Sequence, residues 1–337
     1  MPNITILGAG TWGVALSRSL TNSGHRVTVW SPVPGEAAGL AAARVHPNLP
    51  GMNIPAAVAF TDDAAAVRGA DAVVFAVPSP YVRSTTAAVR AHLAPDALVV
   101  DVAKGLEEKT FFTMTEIIAD EAQKDGQHAG LRLVALSGPT HAEEVARDLP
   151  TAIVAASRDE EAARAVQTLF STPFLRVYTN GDPRGVELCG ALKNIVALAA
   201  GISDGLGYED NTKAALITRG MAEISRLGRA LGCDERTFSG LAGIGDLIVT
   251  CTSTHSRNHN AGLLIGQGVP AEEAAHRVGM VVEGLNALPA AVALAGQNGV
   301  EMPIIAAVWR IVKEHADPRA TVRDLMCREY KDETRRY

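Results

Sequence analysis

Apolar positions follow two different patterns along the chain. Through the first half, short β-branched and apolar runs recur at residues 4–7, 25–30, 72–77, 98–102, 131–136, 151–155 and 174–178, with Ala-rich helical stretches between them. The runs are continuous rather than alternating, as in strands buried on both faces. They predict a parallel sheet covered by helices, a doubly wound α/β domain. Ligands of such a sheet sit at the carboxyl ends of its strands. Three of those ends carry Pro78-Ser79, Lys104-Gly105 and Ser137-Gly138-Pro139-Thr140, and the prediction places all of them on one edge.

The turn cluster Thr179-Asn180-Gly181-Asp182-Pro183 closes this region, and the domain boundary is placed there, giving domains of 1–181 and 182–337. Beyond it the pattern becomes helical, with helices predicted over 186–200, 212–231, 286–298 and 304–315 and almost no strand signal. An α/β domain followed by an all-α domain suits an enzyme that closes its substrate between a cofactor domain and a helical cap. No repeat of solenoid length occurs, and the charged tail 328–337 reads as a solvated, fraying end.

The first strand runs into Gly8, Gly10 and Gly13, which are followed by a predicted helix over 11–23, Gly24 and a second strand. A lone Gly-x-Gly-x-x-Gly is a weak signal, but here it sits between a strand and a helix inside a βαβ unit. Gly8 suits the tight turn, Gly10 lets the backbone approach a pyrophosphate, and Gly13 lets helix and strand pack closely. Free amides and the helix dipole favour the anion. A Rossmann-type domain is the expectation.

Composition excludes more than it selects. With 47% hydrophobic and 20% charged residues, the 337-residue chain has the make-up of a folded globular protein. The net charge of −6 argues against nucleic acid as a partner. Cys189, Cys233, Cys251 and Cys327 are scattered, with no metal-ligand spacing, so neither a metal site nor a disulfide framework is expected. The N-terminus enters a strand without a leader pattern, and no uninterrupted apolar run reaches membrane-spanning length. A cytoplasmic protein without stable membrane insertion is expected.

Lys193 is the anomaly of the second half, one cation inside Leu188-Cys189-Gly190-Ala191-Leu192-Lys193-Asn194-Ile195-Val196. Burial would lower its pKa and make it a usable acid/base near neutrality. The competing reading is a lysine snorkelling to the surface. Asp246, at the end of the glycine-rich 239–247 segment, is either a partner for such a lysine or a turn or capping aspartate. Ser256-Arg257-Asn258 outlines an anion site, with Ser256 as a helix cap and Arg257 beside free amides; an ordinary capped helix is the alternative. Lys104 stands at the ligand edge. His141 reads as a partly exposed polar residue and is not assigned a role.

Taken together, Gly8-Ala9-Gly10-Thr11-Trp12-Gly13, Ala103-Lys104-Gly105-Leu106-Glu107, Ser137-Gly138-Pro139-Thr140, Ala191-Leu192-Lys193-Asn194, Gly243-Ile244-Gly245-Asp246-Leu247 and Ser256-Arg257-Asn258 resemble the NAD(P)-dependent glycerol-3-phosphate dehydrogenases, in their soluble bacterial form. The resemblance spans nearly the whole chain, including Ile202-Ser203-Asp204-Gly205 and Val281-Val282-Glu283-Gly284. It implies reversible reduction of dihydroxyacetone phosphate, a triose phosphate, to sn-glycerol 3-phosphate, the backbone of phospholipids. By it, Lys193 is the acid/base, and Lys104 and Asp246 orient it and the reacting oxygen. Gly138, Thr140, Ser256, Arg257 and Asn258 hold the substrate together with those three. Gly8, Gly10, Thr11, Trp12, Gly13, Lys104, Ala142, Arg257, Val281 and Glu283 contact the cofactor. A homodimer is implied as well.

One position departs from the bacterial pattern. Trp30-Ser31-Pro32 follows the second strand where a basic residue commonly stands, leaving Arg44 as the candidate contact for a 2′-phosphate. With no acid seen to oppose it, NADP(H) is favoured slightly over NAD(H). The alternatives are a related two-domain β-hydroxyacid or sugar-acid reductase, with a carboxylate substrate, and a non-catalytic nucleotide-sensing module.

Overall fold

The computed structural model describes residues 1–330, 332 and 333. One eight-stranded sheet forms from β1 (Asn3–Leu7), β2 (Arg26–Trp30), β3 (Ala59–Thr61), β4 (Ala72–Phe75), β5 (Leu98–Asp101), β6 (Arg132–Ser137), β7 (Thr151–Ala156) and β8 (Leu175–Asn180), in the order β3-β2-β1-β4-β5-β6-β7-β8. Along β4, Ala72 and Val74 enter the core on one face while Val73 and Phe75 enter the core on the other. Both faces are therefore dry at β4, as its continuous apolar run requires, whereas on β8 Arg176 and Tyr178 are exposed. Helices α1 (Thr11–Asn22), α2 (Glu36–Ala43), α3 (Val82–Val89), α4 (Met114–Ala122), α5 (Ala142–Val145) and α6 (Glu160–Phe170) connect these strands. The edge strand β3 was not foreseen, because a three-residue strand is too short to show a period.

The sheet corrects one expectation. β1 to β6 are parallel, but β7 runs antiparallel to β6, and β8 is parallel to β7. The link from β6 to β7 contains only the single-turn α5, which does not carry the chain back across the sheet, so β7 returns from the same edge. A strand dry on both faces reads the same in either direction. The reversal matters for the site: β8 ends on the edge opposite the ligand edge, and the next helix climbs past the sheet to reach it.

That helix is α7 (Pro183–Gly205), capped by the Asp182 carboxylate on the Gly185 amide. Around it pack α8 (Asp210–Ala230), α9 (Glu235–Phe238), α10 (Asp246–Thr252), α11 (Arg257–Gly266), α12 (Ala271–Val278), α13 (Glu283–Gln297), α14 (Pro303–Lys313) and α15 (Pro318–Met326). Length and apolarity would let α7 cross a membrane, yet 94% of its most apolar window is buried within the protein, where it is the axis of the helical core. Close approach to α11 depends on glycine: a Cβ on Gly201 would lie 2.0 Å from the His259 carbonyl oxygen. In the charged tail, Arg328 pairs with Glu301 and Tyr330 is exposed, while residues 331 and 334–337 lie outside the described residues.

Candidate functional site

The glycine turn is built by steric exclusion. Gly8 has φ +119°, and a Cβ there would lie 2.7 Å from the Ala76 carbonyl oxygen; one on Gly13 would lie 2.2 Å from the Gly8 carbonyl oxygen. Around Gly10 the space is open, with nothing within 4 Å of a built Cβ. Gly10 caps α1 without a side chain, and the first turn of α1 holds no acid, so its amides and dipole face that space uncompensated. Thr11 and Trp12 are half-buried there. An open, amide-lined cradle of this kind fits a dinucleotide's pyrophosphate. Beside it, the Gly8 amide donates to the Trp30 carbonyl at 2.9 Å, tying the turn to the end of β2.

At that end of β2 stand Arg44 and an acid. Arg44 donates through Nη1 to the carbonyls of Pro55 (3.2 Å) and Val58 (2.7 Å), with its guanidinium 5.7 Å from the Phe60 ring centre. Through Nη1 it ties down the 55–58 loop, while Nη2 and Nε make no hydrogen bond among the described residues. The acid, Glu36, is bound by the Ser31 hydroxyl.

The second cluster is made of side chains. Lys104, past the end of β5, fits against α7 because Gly190 is there: a Cβ on Gly190 would be 3.3 Å from Lys104 Cγ. Lys104 Nζ donates to Asp246 Oδ2 at 2.7 Å and to the Gly138 carbonyl at 3.1 Å. Lys193 Nζ donates to Asp246 Oδ1 at 2.7 Å and to Thr250 Oγ1 at 2.5 Å. Thr250 is oriented to accept, since its own hydroxyl donates to the Asp246 carbonyl at 2.6 Å. One carboxylate thus bridges two lysines from two domains, one oxygen to each.

Lys193 is 4% exposed and Asp246 1%, so the snorkelling reading is excluded, and Asp246 is a bridging acid at the first position of α10. Burial brings the Lys193 pKa down to about 8, with Asp246 resisting and Lys104 adding to the fall. Burial opposes charge on Asp246 too, but Lys104 and Lys193 hold it below the ordinary carboxylate range. Two cations around one anion leave an excess positive charge in a dry site.

The start of α11 lies close by. Ser256 caps it, accepting from the His259 amide at 3.2 Å, and Arg257 is exposed with no ion pair among the described residues. Asn258 is committed within the protein: its Nδ2 donates to Asn194 Oδ1 at 3.0 Å and its Oδ1 accepts from the Gly284 amide at 2.8 Å. Since Asn194 follows Lys193, this bond fixes the α11 N-terminus relative to the lysine. Thr140 Oγ1 donates to the same Gly138 carbonyl that holds Lys104, at 3.1 Å. Ala142 is buried at the start of α5, and Val281 is half-buried. Glu283 reaches back across the domains, accepting from the Ser79 amide (2.9 Å) and hydroxyl (2.5 Å).

Three contributors escaped sequence reasoning. Thr250 stands four residues after Asp246, a helical spacing that would have pointed to it. Asn194 and Ser79 were quoted but given no part, because their partners are far away in sequence. His141 sits beside the lysines, its pKa lowered by burial and then by Lys193, with Nε2 buried and unpartnered. A cavity of about 970 Å³ lies away from this cluster, between α7, α8, α14 and α15 and lined by Ile202, Leu216, Ile304 and Ile311.

Comparison with known proteins agrees along the whole chain. Residues 3–163 match the family model for the NAD-dependent glycerol-3-phosphate dehydrogenase N-terminus, and residues 182–323 match that for its C-terminus. The chain is 58% identical to glycerol-3-phosphate dehydrogenase [NAD(P)+] 2 of Lactobacillus delbrueckii subsp. bulgaricus, over 99% of both. Among solved structures, it is similar to a glycerol-3-phosphate dehydrogenase of Coxiella burnetii (TM-score 0.91, 36% identity, 97% of this chain and 99% of that one). A 3-hydroxyisobutyrate dehydrogenase of Mycobacterium tuberculosis, at 17% identity and TM-score 0.53 over 96% of this chain and 99% of that one, shares the fold alone.

Proposed function

The chain belongs to the NAD-dependent glycerol-3-phosphate dehydrogenase family, and from that premise we infer how its own residues carry the family's reaction. The enzyme interconverts dihydroxyacetone phosphate and glycerol 3-phosphate with NAD(H) or NADP(H). The nicotinamide, when bound, supplies the hydride for reduction and accepts it in oxidation. Reduction builds negative charge on the carbonyl oxygen and requires a proton there, and both needs fall to the lysine pair.

An ammonium has three hydrogens. Lys193 directs two of them to Asp246 and Thr250 and keeps the third for the substrate oxygen. Lys104 directs two to Asp246 and the Gly138 carbonyl and likewise keeps one. Asp246 holds both lysines in place, and the excess cation stabilises the developing alkoxide. Lys193 donates its proton to that oxygen in reduction and takes it back in oxidation; a pKa of about 8 makes both steps accessible near neutrality.

Arg257 and the first amides of α11 take the phosphate, with Ser256 shaping the turn. The Asn194–Asn258–Gly284 chain of hydrogen bonds sets the separation between phosphate and reacting carbon. Gly138 and Thr140 act through the carbonyl that positions Lys104. Gly8, Gly10, Thr11, Trp12 and Gly13 receive the cofactor, with Ala142, Val281 and Glu283 completing its enclosure. We place the domain division at 181/182, between β8 and α7. The homodimer rests on the family resemblance alone, and sedimentation at twice the 35.3 kDa chain mass tests it; the cytoplasmic location rests on the scattered cysteines, which suit a reducing compartment.

The observation that carries this reading is the single carboxylate bridging Lys104 and Lys193 at 2.7 Å each. Nicotinamide absorbance with dihydroxyacetone phosphate, unphosphorylated dihydroxyacetone and a panel of keto acids tests it. Oxidation of the reduced cofactor with the triose phosphate is expected; turnover of a keto acid in its place overturns it.

A further inference from the structure

At the end of β2 an open α/β sheet meets the adenosine ribose of a dinucleotide. An acid there accepts the 2′-hydroxyl, whereas a 2′-phosphate calls for a cation. In this chain Arg44 is committed through Nη1 to the carbonyls of Pro55 and Val58. An acid is installed instead. Trp30, the last residue of β2, accepts from the Gly8 amide, so the strand end and the phosphate cradle form one unit. Ser31 follows, 1% exposed, its amide donating to the Thr61 carbonyl at 3.0 Å. Its hydroxyl donates to Glu36 Oε2 and accepts from the Val33 amide at 3.1 Å. Gly35, at φ +79°, turns the chain into α2, and Glu36 opens that helix half-buried. Among the described residues Glu36 Oε1 makes no hydrogen bond. His46 accepts from the Asn48 amide through Nδ1 at 3.1 Å, and burial lowers its pKa, with Glu36 and the Ala9 backbone opposing the fall.

We propose that Glu36, oriented by the Ser31 hydroxyl, is the cofactor-specificity determinant of this enzyme, receiving the ribose diol of NADH and opposing the 2′-phosphate of NADPH. This reverses the slight preference for NADP(H) expected from the sequence, where the 32–35 loop separates the acid from its strand. It rests on the glycine cradle being the cofactor site, and is independent of which substrate is reduced. A 2′-phosphate would stand beside a fixed carboxylate while Arg44 is held by the 55–58 loop, and like-charge juxtaposition of this kind lowers affinity by about tenfold or more.

The test reads binding without turnover. Dissociation constants of NADH and NADPH are measured on the purified chain by calorimetry, with adenosine 5′-monophosphate and adenosine 2′,5′-bisphosphate as fragments that report the adenosine end alone. Wild type is expected to hold NADH about tenfold or more tighter than NADPH. Glu36→Gln should bring the two within about threefold, mainly by a gain for NADPH, and Ser31→Ala should move the ratio the same way by less. The fragments should follow the same order. Tighter or equal binding of NADPH by wild type overturns the proposal, as does an unchanged ratio in a Glu36→Gln protein that melts like wild type. Binding of neither dinucleotide also overturns it, and in addition removes the cradle as a cofactor site; failure to reduce the triose phosphate while the ratio holds would count against the proposed reaction alone.

Discussion

The glycine cradle and the lysine cluster both await a negative charge, and they are built in opposite ways. The cradle uses backbone amides at the start of α1, kept clear by glycines whose Cβ atoms would strike carbonyl oxygens, with no charged side chain in its first turn. The cluster uses charge directly: Lys104 past the end of β5, Lys193 on α7 and Asp246 on α10, the last two buried. A pyrophosphate keeps its charge throughout the reaction, so fixed dipoles suffice. The substrate oxygen gains and loses charge, so its partner must be a group that titrates.

The sharpest way to separate the two regions is Lys193→Met. Turnover should fall by on the order of 10²–10⁴-fold while cofactor affinity stays within about threefold. Loss of both together would make the cluster part of the binding site and dissolve the distinction. Arg257→Ala comes next, because its cation holds a charge that does not change in the reaction. It should cost on the order of 10²-fold in kcat/KM for dihydroxyacetone phosphate and leave the phosphate-free analogue nearly unaffected. Equal losses on both substrates would place the phosphate elsewhere.

On the cradle side, Gly13→Ala puts a methyl against the Gly8 carbonyl. It should weaken both cofactors by about tenfold and stability by about 1–3 kcal/mol, with near wild-type turnover at saturating cofactor. Reduced turnover at saturation would mean that the cradle also sets the chemistry. The smallest effect concerns the joint between the domains. Buried Glu187 accepts from Thr113 and Thr115 across it, and burial pushes its pKa up to about 7. The folded state therefore holds a proton that the unfolded state releases above about 4.5, and stability falls as pH rises from there to about 7. Melting temperatures of Glu187→Gln at either end of that window should differ by less than those of wild type.

What was readable in sequence follows the same division. The cradle is local, so spacing and flanking elements were enough to find it. Lys193 was visible as a charge in an apolar helix and Asp246 as a candidate partner for it, but the sharing of that carboxylate, one oxygen to each lysine, was not, since three distant segments meet only after β7 and β8 reverse and α7 crosses the sheet edge. The reversal of β7 left no mark, because a mostly buried apolar strand looks alike in both directions. The hold of the Pro55 and Val58 carbonyls on Arg44 was hidden for a related reason: they belong to a loop without periodicity. Thr250 was within reach of the helical i, i+4 rule, whereas Ser79 and Glu283 are partners separated by most of the chain.

The pH dependence of kcat/KM, measured in both directions on wild type and on the residual activity of Lys193→Met, tests the central claim most directly. Reduction should decline as pH rises through about 8, where Lys193 loses the proton it donates, and oxidation should rise through the same point, with both inflections gone in the variant. Profiles that are flat across that point, that move in the same direction, or that keep their inflections without Lys193 would contradict it.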